Sequence, residues 1–229
     1  MSVHAPFVLY GGTFDPVHHG HLAIARAARD ALRTDIHLMP AADPPHRAPP
    51  GATAVQRAEM LRLAIDGEPG LLLDERELRR GEPSRSVDTL RALRGEIGDA
   101  VPVALLVGAD SFAGLPQWKA WRELFGLAHF VVASRAGSDP EEALDPALAG
   151  AVAGRVVEDP GALRLAPAGR VLYLRQPLHP QSASAIRAAI AAGSDWRGLV
   201  PAAVADYIAR HGLYRGGGGV NGAVAGPRV

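Results

Sequence analysis

The chain of 229 residues contains no cysteine. Disulfide scaffolds, thiolate nucleophiles, cysteine zinc sites and iron–sulfur clusters are therefore excluded. Aromatic residues are scarce at 5%, while hydrophobic residues reach 48%, so small aliphatic side chains must fill the core. Net charge is lacking too, because 24 Lys plus Arg balance 24 Asp plus Glu. Nucleic-acid binders and polybasic membrane binders recruit phosphates with surplus cations, so neither nucleic acid nor membrane is expected as a partner. The longest apolar run, Ala100 to Ala109, contains a proline and has about half the length a bilayer span needs. No basic segment followed by a long apolar stretch opens the chain, so no secretory leader is expected and the expected location is cytoplasmic.

What is present is an alternation of short apolar runs with longer amphipathic stretches. The runs Phe7–Tyr10, Ile36–Met39, Leu71–Leu73, Val103–Val107, Phe130–Ala133 and Val171–Leu174 read as strands. Helical patterns lie between them, at Gly20–Leu32, Ala54–Ile65, Val87–Glu96, Trp118–Leu124, Ser184–Ala192 and Pro201–His211. Continuous apolar strands alternating with helices predict a parallel sheet covered on both faces. Right-handed crossovers then give an α/β, doubly wound, Rossmann-like single domain over residues 1–214. Residues 215–229, rich in glycine and small side chains, are expected to form a flexible tail. The segment Pro40–Gly51 holds five prolines and is expected to be an irregular, functional loop.

The most informative string runs from Gly11 to Leu22 and follows the first strand directly. Ligands of doubly wound sheets bind beyond the carboxyl ends of the strands. Gly11 and Gly12 can let the backbone approach a ligand without Cβ obstruction. Unpaired N–H groups at the start of the following helix form an anion site. His18 and His21 are three residues apart, so their rings can reach one side and donate to a phosphate. Three histidines within four positions are also compatible with a metal site, although no His-Glu-x-x-His pattern accompanies them.

Gly12-Thr13-Phe14-Asp15-Pro16-Val17-His18-His19-Gly20-His21 resembles the nucleotidyltransferase signature Gly-x-Phe-Asp-x-x-His-x-Gly-His. From Phe7 to Tyr214 the chain is similar to bacterial nicotinate-nucleotide adenylyltransferases. The supporting segments are Pro44 to Arg47, Ser84 to Leu90, Gly108 to Ser111, Trp118 to Trp121, Ser134-Arg135, Ser182 to Arg187, and the ending Tyr207 to Tyr214. The resemblance implies that nicotinate mononucleotide and ATP are joined to give deamido-NAD and pyrophosphate. It places Gly11, Gly12, Thr13, Phe14, His18, His21, Gly108, Asp110, Ser182, Ser184 and Arg187 around ATP. His18, His21 and Arg187 would be catalytic, with Arg187 near the β- and γ-phosphates. His46, Arg47, Arg85, Ser86, Val87, Trp118 and Arg135 would contact the mononucleotide, with Trp118 stacked on the pyridine ring. Mg²⁺ would bridge the ATP phosphates, with no metal ligand required from the protein alone.

Bland readings stand beside these. Ser182 can simply cap a helix, and Asp110 can cap another. Trp118 and Trp121 stand at helical spacing, so one of them belongs to the core. The chain departs from the resemblance at Arg85, where relatives commonly carry tyrosine. Arg85 is expected either to pair with the nicotinate carboxylate or to point to solvent. Alternatives of the same reaction type are a cytidylyltransferase or a nicotinamide mononucleotide or pantetheine-phosphate adenylyltransferase. A nucleotide sensor without catalysis is the alternative from another class.

Overall fold

The run Phe7-Val-Leu-Tyr is apolar on both of its alternating faces, as a central strand between two helical layers must be. In the computed structural model, which describes residues 4–42, 51–80, 85–135, 144–176 and 181–215, that run opens β1 (Phe7–Gly12). Helix α1 (His19–Leu32) leads to β2 (Ile36–Pro40), α2 (Ala54–Ile65) and β3 (Leu71–Leu73). The chain then forms α3 (Arg76–Arg80), α4 (Ser86–Ile97), β4 (Val103–Gly108), α5 (Ala109–Ala113) and α6 (Trp121–Leu127). It continues with β5 (His129–Arg135), α7 (Pro146–Val152), β6 (Val156–Val157), β7 (Val171–Gln176), α8 (Ala183–Ala191) and α9 (Ala202–His211).

The strands form one seven-stranded sheet in the order β3-β2-β1-β4-β5-β7-β6, and every pairing is parallel. The doubly wound expectation is met. The chain winds outward from β1 in one direction and returns to β1's other side with β4, so the order reverses between β1 and β4. Alternate strand residues supply two separate cores. Val8, Tyr10, Ala104, Leu106, Val131 and Leu172 face one, and Leu9, Val103, Leu105, Phe130, Val132 and Val171 face the other.

Local chemistry fixes the helix ends. Thr53 Oγ1 accepts from Gln56 N, and Gln56 Oε1 accepts from Thr53 N, a reciprocal cap that starts α2. Gly212 takes the left-handed φ of +61° that closes α9. Several expectations need correction. Strand β6 and the short helices α3, α5 and α7 carry too few residues to show a period. The helix expected at Trp118–Leu124 starts instead at Trp121. A 3-10 turn, Leu115–Gln117, precedes it, Trp118 is extended (ψ 145°), and Ala120 is left-handed at φ +50°. Pro40, expected in the irregular segment, closes β2. Of the expected tail only Arg215 is described; residues 216–229 lie outside the described residues.

Candidate active site

In a parallel sheet the carboxyl ends of all strands lie along one edge, and the helices that follow them begin there. The order reverses between β1 and β4, whose following helices α1 and α5 begin at that edge, the place where ligands of doubly wound sheets bind. The residues at the start of α1 are ordered around two imidazoles. His18 is the extended N-cap residue (φ −146°, ψ 171°). Its backbone N–H donates to His21 Nδ1 at 3.3 Å. In that contact the Nδ1 of His21 is the acceptor. The two rings lie 3.8 Å apart, inclined by 30°, and His21 also meets the Phe14 ring edge-on at 5.0 Å. The sequence spacing thus brought His18 and His21 together.

The two glycines before them differ. A Cβ on Gly11 would make ordinary contact with Met39 at 3.6 Å, whereas one on Gly12 would lie 2.9 Å from the Phe14 ring. Gly12 is needed for that ring rather than to clear its Cβ side for a ligand. Phe14 itself is core, 1% exposed, with a left-handed φ of +49°. Any role it has toward a ligand runs through its backbone.

Behind the histidines sit two buried charges that the sequence reading passed over. Asp15 accepts from Gly51 N–H (2.8 Å, Oδ2), Ala52 N–H (3.1 Å, Oδ1) and the Tyr214 hydroxyl (2.7 Å, Oδ1). Burial, and then this bond to Asp15, push the Tyr214 phenol well above its ordinary pKa of 10.0, so it stays a donor. Arg187 Nη1 donates to the Asp15 carbonyl at 2.6 Å, and its Nη2 lies 3.4 Å from Ser184 Oγ. Arg57 is 0% exposed. Its guanidinium donates to Thr13 O (2.6 Å), Ala41 O (2.6 Å), Ala42 O (3.1 Å) and Ala52 O (3.3 Å). One cation therefore ties together the segments leaving β1 and β2 and entering α2. A signal for Arg57 was present in the sequence, since Arg57, Met60, Leu61 and Ala64 follow the i, i+3, i+4, i+7 spacing of a buried stripe. Asp15 sat inside the motif, but its partners lie 36 or more positions away.

The remaining expected residues are distributed as follows. Ser182 caps α8, its Oγ accepting from Ala185 N at 3.2 Å, so the bland reading holds for that hydroxyl. Ser184 is exposed in the same first turn. Gly108 closes β4 with open space where its Cβ would be. Asp110 is exposed beside it, and α5 has no side-chain cap, so the capping alternative is not used. Arg85 is the exposed N-cap residue of α4; Ser86 is half-buried, and Val87 is core, able to offer only backbone. Trp118 is partly buried against the second core, while Trp121 lies within it. Arg135 ends β5. His46 and Arg47 lie outside the described residues.

The sequence pattern of a family described as cytidylyltransferase-like matches residues 9–189. A protein of Stenotrophomonas maltophilia (strain K279a) named probable nicotinate-nucleotide adenylyltransferase is 62% identical over 213 residues, covering 91% of this chain and 96% of that one. One of the same name from Xylella fastidiosa (strain M12) is 49% identical over 211 residues, covering 90% and 95%. Among solved structures, Plasmodium falciparum nicotinic acid mononucleotide adenylyltransferase complexed with NaAD superposes with a TM-score of 0.69. It is 15% identical, covering 92% of this chain and 98% of that one, and shows a shared fold.

Proposed function

The chain belongs to the cytidylyltransferase-like family and, within it, to the nicotinate-nucleotide adenylyltransferases, and from that premise we propose how its residues divide the work. The enzyme joins nicotinate mononucleotide to the AMP part of ATP, giving deamido-NAD and pyrophosphate in NAD biosynthesis. The observation that carries the residue assignment is the imidazole pair at the start of α1, 3.8 Å apart beside the switch point.

A phosphate oxygen of nicotinate mononucleotide attacks the α-phosphorus of ATP. A new P–O bond forms as the bond to the β-phosphate oxygen breaks, and pyrophosphate leaves on the opposite side. The attacking monoester is already an anion, so the protein needs neither a strong base nor a nucleophile. It must align two anions and hold the charge on their oxygens. The imidazoles of His18 and His21, with the first turn of α1, hold the ATP phosphates. Arg187 and Ser184, in the first turns of α8, hold the leaving pyrophosphate. Asp110 accepts from ribose hydroxyls. The start of α4, with Arg85, Ser86 and the backbone of Val87, receives the mononucleotide, and Trp118 flanks its pyridine ring. On the resemblance alone, His46, Arg47 and Arg135 are assigned to the mononucleotide.

The cofactor assigned is Mg²⁺. Among the described residues no group of three or more His, Asp or Glu is arranged to hold a metal, and the buried Asp15 carboxylate is already engaged by N–H and O–H donors. Carried on the phosphates of ATP, the cation would neutralise their charge. The test is pyrophosphate release from ATP with a panel of acceptors. Release with nicotinate mononucleotide above nicotinamide mononucleotide and phosphopantetheine is expected; release with none of them would contradict the assignment.

A further inference from the structure

Asp15 is 4% exposed and carries a charge that needs full compensation. Its two oxygens are served unequally. Oδ1 takes the Tyr214 hydroxyl at 2.7 Å and Ala52 N–H at 3.1 Å. Oδ2 takes Gly51 N–H at 2.8 Å and only faces Arg187 Nη1, 3.6 Å away. That same Nη1 is docked on the Asp15 main-chain carbonyl at 2.6 Å. Arg187 is thus anchored to the backbone of Asp15 and pairs with its carboxylate only loosely, through one nitrogen at 3.6 Å. A two-point arginine–carboxylate pair would occupy the planar fork that a triphosphate needs. Here three other donors hold the carboxylate away from that geometry.

Tyr214 belongs to the far end of the chain, 199 positions from Asp15. Its ring is tightly seated: a Cβ on Gly51 would lie 2.8 Å from Tyr214 Cδ1 and 3.6 Å from Arg187 Cδ. Gly51, the tyrosine ring and the arginine stem therefore share one confined space. The glycine is what lets the hydroxyl reach Oδ1.

We propose that Tyr214 and Asp15 are a positioning pair for Arg187: the hydroxyl occupies the carboxylate so that the guanidinium stays free for the outer phosphates of ATP. This rests on the reading that Arg187 meets those phosphates. Without the hydroxyl, the buried carboxylate loses one donor, and Arg187 Nη1 stands 3.6 Å from its Oδ2. The two then close into a full ion pair, and the guanidinium is withdrawn from the nucleotide.

The test is Tyr214→Phe, which keeps the ring and removes only the hydroxyl. Calorimetric titrations with Mg·ATP and with AMP are compared with wild type, alongside KM for each substrate. ATP affinity should fall about tenfold, the loss of one charge-assisted hydrogen bond, and KM for ATP should rise with it. AMP affinity and KM for nicotinate mononucleotide should stay within about twofold. Gly51→Ala, which displaces the ring with the hydroxyl intact, should reproduce the selective loss for ATP. A structural role would weaken ATP and AMP alike, and that result overturns the proposal, as does an unchanged ATP-to-AMP ratio in both variants. A selective ATP loss in a protein that releases no pyrophosphate would uphold the pair while sinking the reaction assigned above.

Discussion

Each edge of the sheet holds a buried arginine bonded to main-chain carbonyls, but to different effect. At the amino edge Arg94 donates to Val101 O (2.6 Å), Leu127 O (2.7 Å), Pro167 O (2.8 Å) and Gly98 O (3.2 Å). Beside it His129, 0% exposed, pairs Nε2 with Ala166 O at 2.9 Å and accepts from Arg170 N at 3.0 Å. These polar groups are spent on holding loops shut. At the carboxyl edge Arg57 performs the same service for the segments after β1 and β2, yet His21, Ser184, Arg187 and Asp110 remain partly or fully exposed nearby. The lesson is that a buried charge does not mark a site. A site is marked where buried charges support groups that are left accessible.

The largest effect should come from breaking the amino edge. Arg94→Met leaves several buried carbonyls unpaired and should cost about 3 kcal/mol or more by urea denaturation, with kcat of the folded fraction unchanged. Arg57→Met should cost a similar amount and also lower kcat/KM, because the Thr13 segment loses its tie; an unaffected kcat/KM would erase the distinction between the edges. His18→Ala or His21→Ala should reduce kcat about a hundredfold with only a small change in melting temperature.

Effects of pH sharpen the same contrast. Burial holds the His129 pKa below its ordinary 6.5, opposed by the bond to Ala166. Burial also lowers His37, opposed by Asp74 and Asp35. Below pH 6.5 the unfolded chain binds protons that the native imidazoles resist, so stability falls as pH drops through that region. Each histidine contributes at most about 1.4 kcal/mol per pH unit. His129→Gln should flatten the difference between urea midpoints at pH 7.5 and 5.5. The smallest effect is expected at Arg85, which is exposed. Arg85→Ala should change the ratio of kcat/KM for acid and amide mononucleotides by a few-fold, about 1 kcal/mol or less for an exposed pair. An unchanged ratio would show that it faces solvent only.

Much of this was legible in the sequence, and for identifiable reasons. The strands of both cores announced themselves because parallel strands are apolar on both faces, as Val103 to Val107 are. The imidazole pair was legible because His18 and His21 lie within one helical turn. Trp118 misled because its spacing to Trp121 suits a helix, while the left-handed Ala120 between them starts the helix later. Strand β6, two residues long, has no period to read. Asp15 and Tyr214 went unassigned because their meaning lies in a contact between opposite ends of the chain, and Arg57 because a cation on an apolar stripe usually reads as an interruption of it.

The central claim is that the crevice beyond β1 holds ATP phosphates through the imidazoles of His18 and His21. The most direct measurement is ¹⁵N NMR of the histidine ring nitrogens during titration with Mg·ATP, with His129 at the opposite edge as the internal reference. The ring nitrogens of His18 and His21 should shift together and saturate with ATP while those of His129 stay fixed. Saturable ATP binding with no change at either His18 or His21 would contradict the account.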